Sequence, residues 1–375
     1  MERRSPATTN LLRERLELIH RWYQGMIDPK TGMLAYFYIP EADRFVREHS
    51  PIRDIASIWD IEVLEEVLGR SELRPVVETS LHHYQPYILQ RDGYAFLDPV
   101  RLGEPSSIAH SAFMMLALLH APNDRAIQQI ALLRDGILRQ QREDGSYRIY
   151  FDHLPDSGEE LYAGEAMLAL LESCREQRDE RCLRSVERGV TYYDESYFDR
   201  GRVSNDVLVF FANWQSQACR LLWQFTDDTR VREQVASFVF RMHDRIIDRG
   251  FYDDVRLNPA RQSSVEVACA LEGLADAYAI ARASPAPSPA SSPAPPASPP
   301  ASSAHSMCIA LDYLLTLQCA SDGAPRELGG FGLSSEERAQ RIDITGHAAS
   351  AFMKCLESGI DCADLTPPPP HRART

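Results

Sequence analysis

The sequence predicts an all-α chain, an (α/α)6 toroid of six helical hairpins, on three observations. One plan recurs along it: a helix, a turn carrying glycine, an irregular stretch of about 15 residues, and a second helix that opens on small residues. The second helices are apolar nearly all round, as in residues 112–119, and a helix of that kind is buried on every side. One position on them holds an aromatic, imidazole or carboxylate group in every copy: Trp59, His110, Tyr162, Trp214, Glu266 and His347, at spacings of 51, 52, 52, 52 and 81 residues.

The first and most diverged copy runs from Trp22 through Gly32 to a helix carrying Asp54 and Trp59. The second leads from Tyr87 through Gly93 to residues 107–119, and the third from Ile137 through Gly145 to residues 160–171, matching position by position. The fourth passes through Gly201 to residues 213–219 and the fifth through Gly250 to residues 263–269. The sixth runs from Leu314 through Gly323 and Gly329 to residues 343–356. Apolar residues at i, i+3, i+4 and i+7 mark the second segments as helices. The first helices carry more Arg, Glu and Gln, which assigns them to an outer layer. Ala109, Ala112, Ala163, Gly164, Ala166, Ala268, Ala348 and Ala349 let neighbouring inner helices approach closely. Six such hairpins are expected to close into a double-walled barrel.

The long last interval comes from residues 283–303, almost entirely Ala, Ser and Pro. That composition buries no core, so the segment is expected to be a disordered insertion within one domain spanning residues 11–362. A linker between independent domains would leave a single hairpin alone beyond it, with too small a core to be stable. Residues 1–10 and 366–375, the latter with four consecutive prolines, are expected to be disordered termini.

With 44% hydrophobic and 25% charged residues the chain reads as globular. Its formal charge of −14 argues against nucleic acid or an anionic membrane as partner, because such surfaces need clustered positive charge. Only Lys30 and Lys354 are lysines, so nearly all positive charge is arginine. No apolar run approaches the roughly 20 residues that cross a bilayer, and no signal-type stretch follows the start, so a cytoplasmic location is expected. The eight cysteines lie mostly in apolar helical stretches without a C-x-x-C pair, which predicts buried free thiols rather than disulfides or a zinc cage.

The turn Leu138-x-x-Gln141-x-x-Asp144-Gly145, followed by a small-residue helix, resembles the repeats of the α/α-toroid superfamily. That superfamily includes six-hairpin glycosidases, sugar epimerases, terpenoid cyclases and protein prenyltransferase β subunits. The resemblance covers residues from about 15 to 358 and implies a scaffold, which hosts many functions. The D-x-D-D string of squalene-type cyclases and the D-x-C of the prenyltransferase zinc set are absent, so no metal is expected. Phosphate-binding and dinucleotide-binding glycine strings are absent too, so no cofactor is expected.

In a ring of hairpins the second helices run parallel, gathering their positive N-termini in one funnel that favours anionic or hydroxyl-rich ligands. Trp59, Tyr162 and Trp214 offer aromatic faces for sugar rings, or serve the core. His110 and His347 titrate near neutrality and suit proton transfer, or are satisfied structural histidines. Closure would set His347, Trp59 and His110 side by side. Asp54 and Asp343, beside Arg53 and Arg341, suit an acid/base pair across a sugar carbon, the alternative being helix caps or arginine partners. Glu165 and Glu266 sit early on apolar helices, where a carboxylate is expensive unless hydrogen bonded or used. These residues point to a carbohydrate-active toroid that acts on, or binds, a glycan or uronic-acid saccharide by acid/base chemistry. The alternatives are an isoprenoid-handling toroid and a non-catalytic toroid that binds a peptide or protein partner.

Overall fold

The computed structural model describes residues 6–46, 50–120, 124–152, 154–175, 178–284, 300–321 and 324–362. Fourteen α-helices occur among them: α1 (Pro6–Met26), α2 (Pro51–Leu68), α3 (Arg74–Tyr84), α4 (Pro99–Leu102), α5 (Ile108–Leu119), α6 (Asp124–Arg139), α7 (Glu159–Glu172), α8 (Glu180–Thr191), α9 (Leu208–Phe225), α10 (Thr229–Asp248), α11 (Phe251–Leu257), α12 (Ser264–Ala283), α13 (Pro300–Leu317) and α14 (Ile342–Ser358). All six expected second helices are present, as α2, α5, α7, α9, α12 and α14. The repeat glycines Gly32, Gly93, Gly145, Gly201 and Gly250 all have φ between 69° and 96°. At Gly145 the reason is double: φ is 96°, and a Cβ there would lie 2.4 Å from the carbonyl oxygen of Arg188.

The chain divides into two compact units, Met1–Val77 with His243–Thr375, and Glu78–Met242. In the first, α14 lies between α2 and α12, with α1 against α2 and α14 and with α13 against α12. In the second, α7 lies between α5 and α9, with α6 against α5 and α8 against α7 and α9. Each unit therefore has an inner layer of three second helices under a layer of first helices. The small residues do what their size allows: Ala109, Ala112, Ala163, Ala166, Ala268, Ala348 and Ala349 are all 0% exposed. Gly164 shows how tight the approach is, since a Cβ there would sit 2.6 Å from the Cβ of Trp214 on α9.

The irregular stretches hold short strands. β1 (Phe37–Ile39) pairs antiparallel with β2 (Arg44–Val46), while β3 (Ile88–Arg91) and β4 (Tyr94–Leu97) form a hairpin over Asp92 and Gly93. β5 (Gln340–Arg341) completes the first sheet by pairing with β1, Phe37 opposite Arg341 and Tyr38 opposite Gln340. No helix among the described residues is long and apolar enough to cross a membrane.

Three expectations change at their edges. Helix α1 starts at Pro6, so residues 6–10 are helical where a disordered terminus was expected. Ala283 ends α12 and Pro300 begins α13; residues 285–299 of the expected insertion, and the expected C-terminal tail, lie outside the described residues. The cysteines are not all free: Cys308 on α13 is disulfide bonded to Cys362, 54 residues on, with their Cα atoms 5.6 Å apart. Pairing at that separation leaves no motif in the sequence. Cys174, Cys182, Cys219, Cys269 and Cys355 are buried free thiols as expected, and Cys319 is half-buried.

Closing a loop of this length restricts the unfolded chain by about 4 kcal/mol in the loop-entropy model. Cys308→Ser should lower the thermal midpoint by several degrees in calorimetry, and reducing agent should do the same to the wild type but not to the variant. A midpoint indifferent to both would show that the bridge adds nothing.

Candidate active site

In the first unit three inner helices start at one end because the loops before them are tied together. The N–H of Ser264, at the start of α12, donates to the Leu333 carbonyl at 3.0 Å, and Leu333 belongs to the loop leading into α14. Pairing of β5 with β1 delivers the chain into α14, where the Ile342 N–H reaches the Tyr36 carbonyl at 3.3 Å. The same loop is fixed from below by Trp22 Nε1, which donates to Gln340 Oε1 at 2.6 Å. Asp54 ties in the start of α2: it is 2% exposed, and its Oδ1 accepts the Leu34 N–H at 2.9 Å. That contact anchors the loop before α2; the cap of that helix is Ser50.

Asp343 stands between two guanidiniums. Arg53 Nε donates to its Oδ2 at 2.9 Å and Arg341 Nε to its Oδ1 at 2.5 Å, and the Ile344 N–H adds a third bond at 3.0 Å. Burial pushes the Asp343 carboxyl up, but Arg341 and Arg53 more than reverse this and hold it below the usual carboxylate range. At neutral pH Asp343 is an anion with no proton to give. Arg53 lies 5.4 Å over the Tyr36 ring, and its side chain stays 41% exposed.

Deeper along the same helices lies a second charged layer. His347 Nδ1 is 2.9 Å from Glu272 Oε2 on α12, and Ser350 Oγ donates to Glu272 Oε1 at 2.5 Å. Lys354 Nζ donates to Asp276 Oδ2 at 2.6 Å and stands 3.8 Å from Glu272 Oε1. The Glu272 side chain is 3% exposed. Its burial opposes ionisation, yet Lys354 and His347 outweigh that and hold it down at about 2. Burial likewise pulls the His347 imidazole down, while Cys269 and Glu272 outweigh it and hold it well above its ordinary value, so His347 is cationic.

Asp60 faces this layer from α2. Burial pushes its carboxyl up to about 7, with His347 opposing the shift and Glu272 and Asp343 adding to it. Its place is made by Gly346 on α14, where a Cβ would fall 2.0 Å from Asp60 Oδ2. Sequence reasoning misses Asp60, Cys269, Glu272, Asp276 and Lys354. A signal existed: Glu272 and Asp276 interrupt an apolar run four residues apart, and Lys354 is one of only two lysines.

Trp59 and His347 lie on the neighbouring helices α2 and α14 of the first unit, and His110 on α5 of the second. Trp59 is half-buried. Glu266 is half-buried in the first turn of α12, and burial together with its charge pushes Tyr313 up to about 12.

His110 is the third residue of α5 and completes a capping box with Ser107. Its Nδ1 accepts the Ser107 N–H at 3.2 Å, and its Nε2 is 3.2 Å from Glu104 Oε1. With Nδ1 taking the Ser107 N–H, His110 forms part of the cap of α5 and turns Nε2 to Glu104. Trp214 is 6% exposed, edge-on to Phe113 at 5.7 Å, and leaves little face for a ligand. Tyr162 is half-buried, and Glu165, one turn further along α7, is 5% exposed.

Among the described residues, donor atoms of Cys269, Glu272 and His347 lie within 4.8 Å of one another, a spacing that suits a metal ion. The chemistry fits poorly, because Glu272 already binds His347 and Ser350 and the Lys354 ammonium nearby opposes a cation. His20, Glu65 and Glu72 form the other such group, in which Glu65 is taken by His20 at 3.0 Å and by the Leu73 N–H at 2.7 Å.

No family model matches the chain, and no curated protein matches it in sequence. Solved structures do match. Cellobiose 2-epimerase from Bacillus thermoamylovorans is 14% identical, with 94% of this chain and 100% of that chain covered and a TM-score of 0.67. An unsaturated glucuronyl hydrolase from a Bacillus species is 11% identical over 92% and 96%, with a TM-score of 0.61. An α-1,6-mannanase from a Salegentibacter species is 11% identical over 92% and 98%, with a TM-score of 0.59. At these identities the likeness is one of fold: the chain is an all-α protein of the (α/α)6 toroid class, as its repeats predict.

Two variants test the charged layer. The Asp60 carboxyl sits near 7 in the folded protein against about 3.9 unfolded, so the folded state holds the extra proton, and stability contributed below about pH 4 is lost as pH rises through 7. Asp60→Asn removes that slope: its thermal midpoint should exceed the wild type's by a few degrees at about pH 8 and match it at about pH 4.5. A variant less stable at the higher pH would contradict the shift. Glu272→Gln removes the anion shared by His347 and Lys354 and should lose roughly 3–5 kcal/mol in chemical denaturation, while His347 loses the partner that holds it protonated.

Proposed function

We propose that the chain is an enzyme acting on a saccharide by general acid/base chemistry at the end of the first unit where α2, α12 and α14 begin. The observation that carries this reading is the split between two carboxyls on facing helices, Asp343 held ionised and Asp60 pushed up to about 7. Environments that drive two titratable groups apart give them different roles, here a proton carrier at Asp60 and a fixed anion at Asp343. Asp60 keeps a proton near neutrality and gives it to a glycosidic or hydroxyl oxygen, then takes one back when the ring is attacked or inverted. Asp343 holds Arg53 and Arg341 in place, and the exposed side of the Arg53 guanidinium meets substrate hydroxyls or a uronate carboxylate. The His347 imidazolium, fixed by Glu272, stabilises negative charge developing on an oxygen beside Asp60. Trp59 supplies an apolar ring face for sugar C–H groups. Glu266, in the first turn of α12 in the same unit, is a further candidate contact.

The similar structures support the reading, since an epimerase of cellobiose, a glucuronyl hydrolase and a mannanase are all saccharide enzymes on this fold. A mouth of paired charges is also a poor lining for an isoprenoid, which needs apolar and aromatic walls.

The test is turnover of a panel of neutral disaccharides and unsaturated uronate disaccharides, followed by reducing-end assay and by proton NMR in heavy water. Hydrolysis releases a new reducing end, whereas epimerisation exchanges a ring C–H for deuterium. Activity should fall above about pH 7, where Asp60 loses its proton, and Asp60→Asn should reduce kcat by about 100-fold or more with the fold intact. A wild type that turns over no saccharide in the panel, or an Asp60→Asn variant at full activity, would overturn the proposal.

A further inference from the structure

On the outer layer of the second unit a groove of about 400 Å3 runs between α6 and α8, lined by Arg139, Arg181, Arg184 and Arg188 with Asp135 and Gln141. Its floor is fixed by a closed set of hydrogen bonds. Gln141 Nε2 donates to the Ser185 carbonyl at 2.7 Å, Ser185 Oγ donates to Gln141 Oε1 at 2.8 Å, and Tyr147 OH lies 2.8 Å from the same Oγ.

The charge above that floor is not balanced. Arg181 is neutralised by Asp135 at 3.0 Å and Asp179 at 2.7 Å. Arg139 donates instead to the Asp92 carbonyl at 3.3 Å and lies 4.8 Å over the Tyr94 ring, while Arg188 donates to the Arg142 carbonyl at 2.6 Å. Those partners satisfy N–H groups without carrying charge, and the acids nearest Arg188 lie in the groove on the other side of α8. Arg184 is exposed and forms no salt bridge among the described residues; the half-buried Glu187, one turn on, feels its charge. Arg181, Arg184 and Arg188 share one helix face at i, i+3 and i+7, a like-charge spacing that destabilises an isolated helix. A chain of formal charge −14 thus keeps a row of arginines about 10 Å long where separation would be more stable. The neighbouring groove on the other side of α8, lined by Glu143, Asp144 and Glu187 beside Arg188, is acidic and repels what the first attracts.

We propose that this arginine groove is a binding site for an acidic saccharide, whose sulfate or carboxylate groups are taken by Arg139, Arg184 and Arg188. Guanidinium forks match both groups with paired N–H donors, and two of them on α8 beside a third on α6 read spaced anions rather than a single ion. The proposal rests on the saccharide reading for the identity of the ligand, and it makes the groove a second contact with an acidic chain.

The experiment measures binding of fluorescently labelled oligosaccharides to the full chain by anisotropy at near-physiological salt: a size-defined heparin fragment, an oligogalacturonate and a neutral cello-oligosaccharide. Inorganic sulfate and a single-stranded oligonucleotide serve as competitors. At least one acidic oligosaccharide should bind, more weakly as salt rises, and the neutral one should not. The double variant Arg184→Gln/Arg188→Gln should weaken binding about tenfold or more while its thermal midpoint stays level or rises, because like charges have been removed. Unchanged binding by that variant, sulfate competing as well as the oligosaccharide, or tighter binding of the oligonucleotide would each overturn the proposal. Asp60→Asn separates the two readings. Acidic oligosaccharide bound through the arginines without any turnover by the wild type removes the active-site reading alone, and turnover without acidic binding removes the groove alone.

Discussion

Glu272 is an ionised carboxylate on an inner helix whose side chain is 3% exposed, and an anion that deep is tolerated only with its partners fixed around it. Three groups on one face of α14 meet that need: His347, Ser350 and Lys354, at i, i+3 and i+7. Lys354 in turn brings in Asp276, one turn beyond Glu272. The register of α14 against α12 is therefore specified by charge as well as by shape, since sliding one helix along the other would strand ions in the interior. The same register sets Gly346 opposite α2, and the room it leaves is where Asp60 sits.

Protonation then follows from position. Asp60 has the His347 cation on its side but Glu272 and Asp343 against it, and little water to solvate its charge. Nearer the helix starts Asp343 has two guanidiniums and a backbone N–H, and it ionises. Two residues of one chemical type, on facing helices, thereby acquire opposite roles without any difference that a sequence displays. Cys269 and His347 fit a metal poorly here, because Glu272 is already bound to His347 and Ser350 and Lys354 stands nearby.

The scaffold makes few chemical demands of its own. What this chain shares with the epimerase, glucuronyl hydrolase and mannanase structures at 11–14% identity is the fold, since few individual residues are kept. Gly164 against Trp214, and the fully buried alanines, are the kind of feature its helix packing requires. Polar residues at the helix starts are divided between holding the scaffold and facing a ligand. His110 and Asp54 hold: one caps α5, the other ties Leu34 to α2. Arg53 is bound to Asp343 and Ser50, and its side chain stays 41% exposed.

Local pattern by itself determined the hairpins, the glycine turns and the identity of the six inner helices, because apolar periodicity and positive φ are properties of neighbours in sequence. It also marked Arg53, Arg341 and Asp343, which lie at the starts of α2 and α14 where a reader of helix ends looks first. Only the tertiary structure decided that Asp343 binds both arginines, that His110 joins a helix cap and Trp214 packs in the core, and that Asp60 is buried where its carboxyl is pushed up. It alone paired Cys308 with Cys362 and gathered Arg139 of α6 with the arginines of α8. A pKa, a disulfide and an excess of charge in a groove all depend on distances between residues tens to hundreds of positions apart, and a sequence read along its length carries no distances.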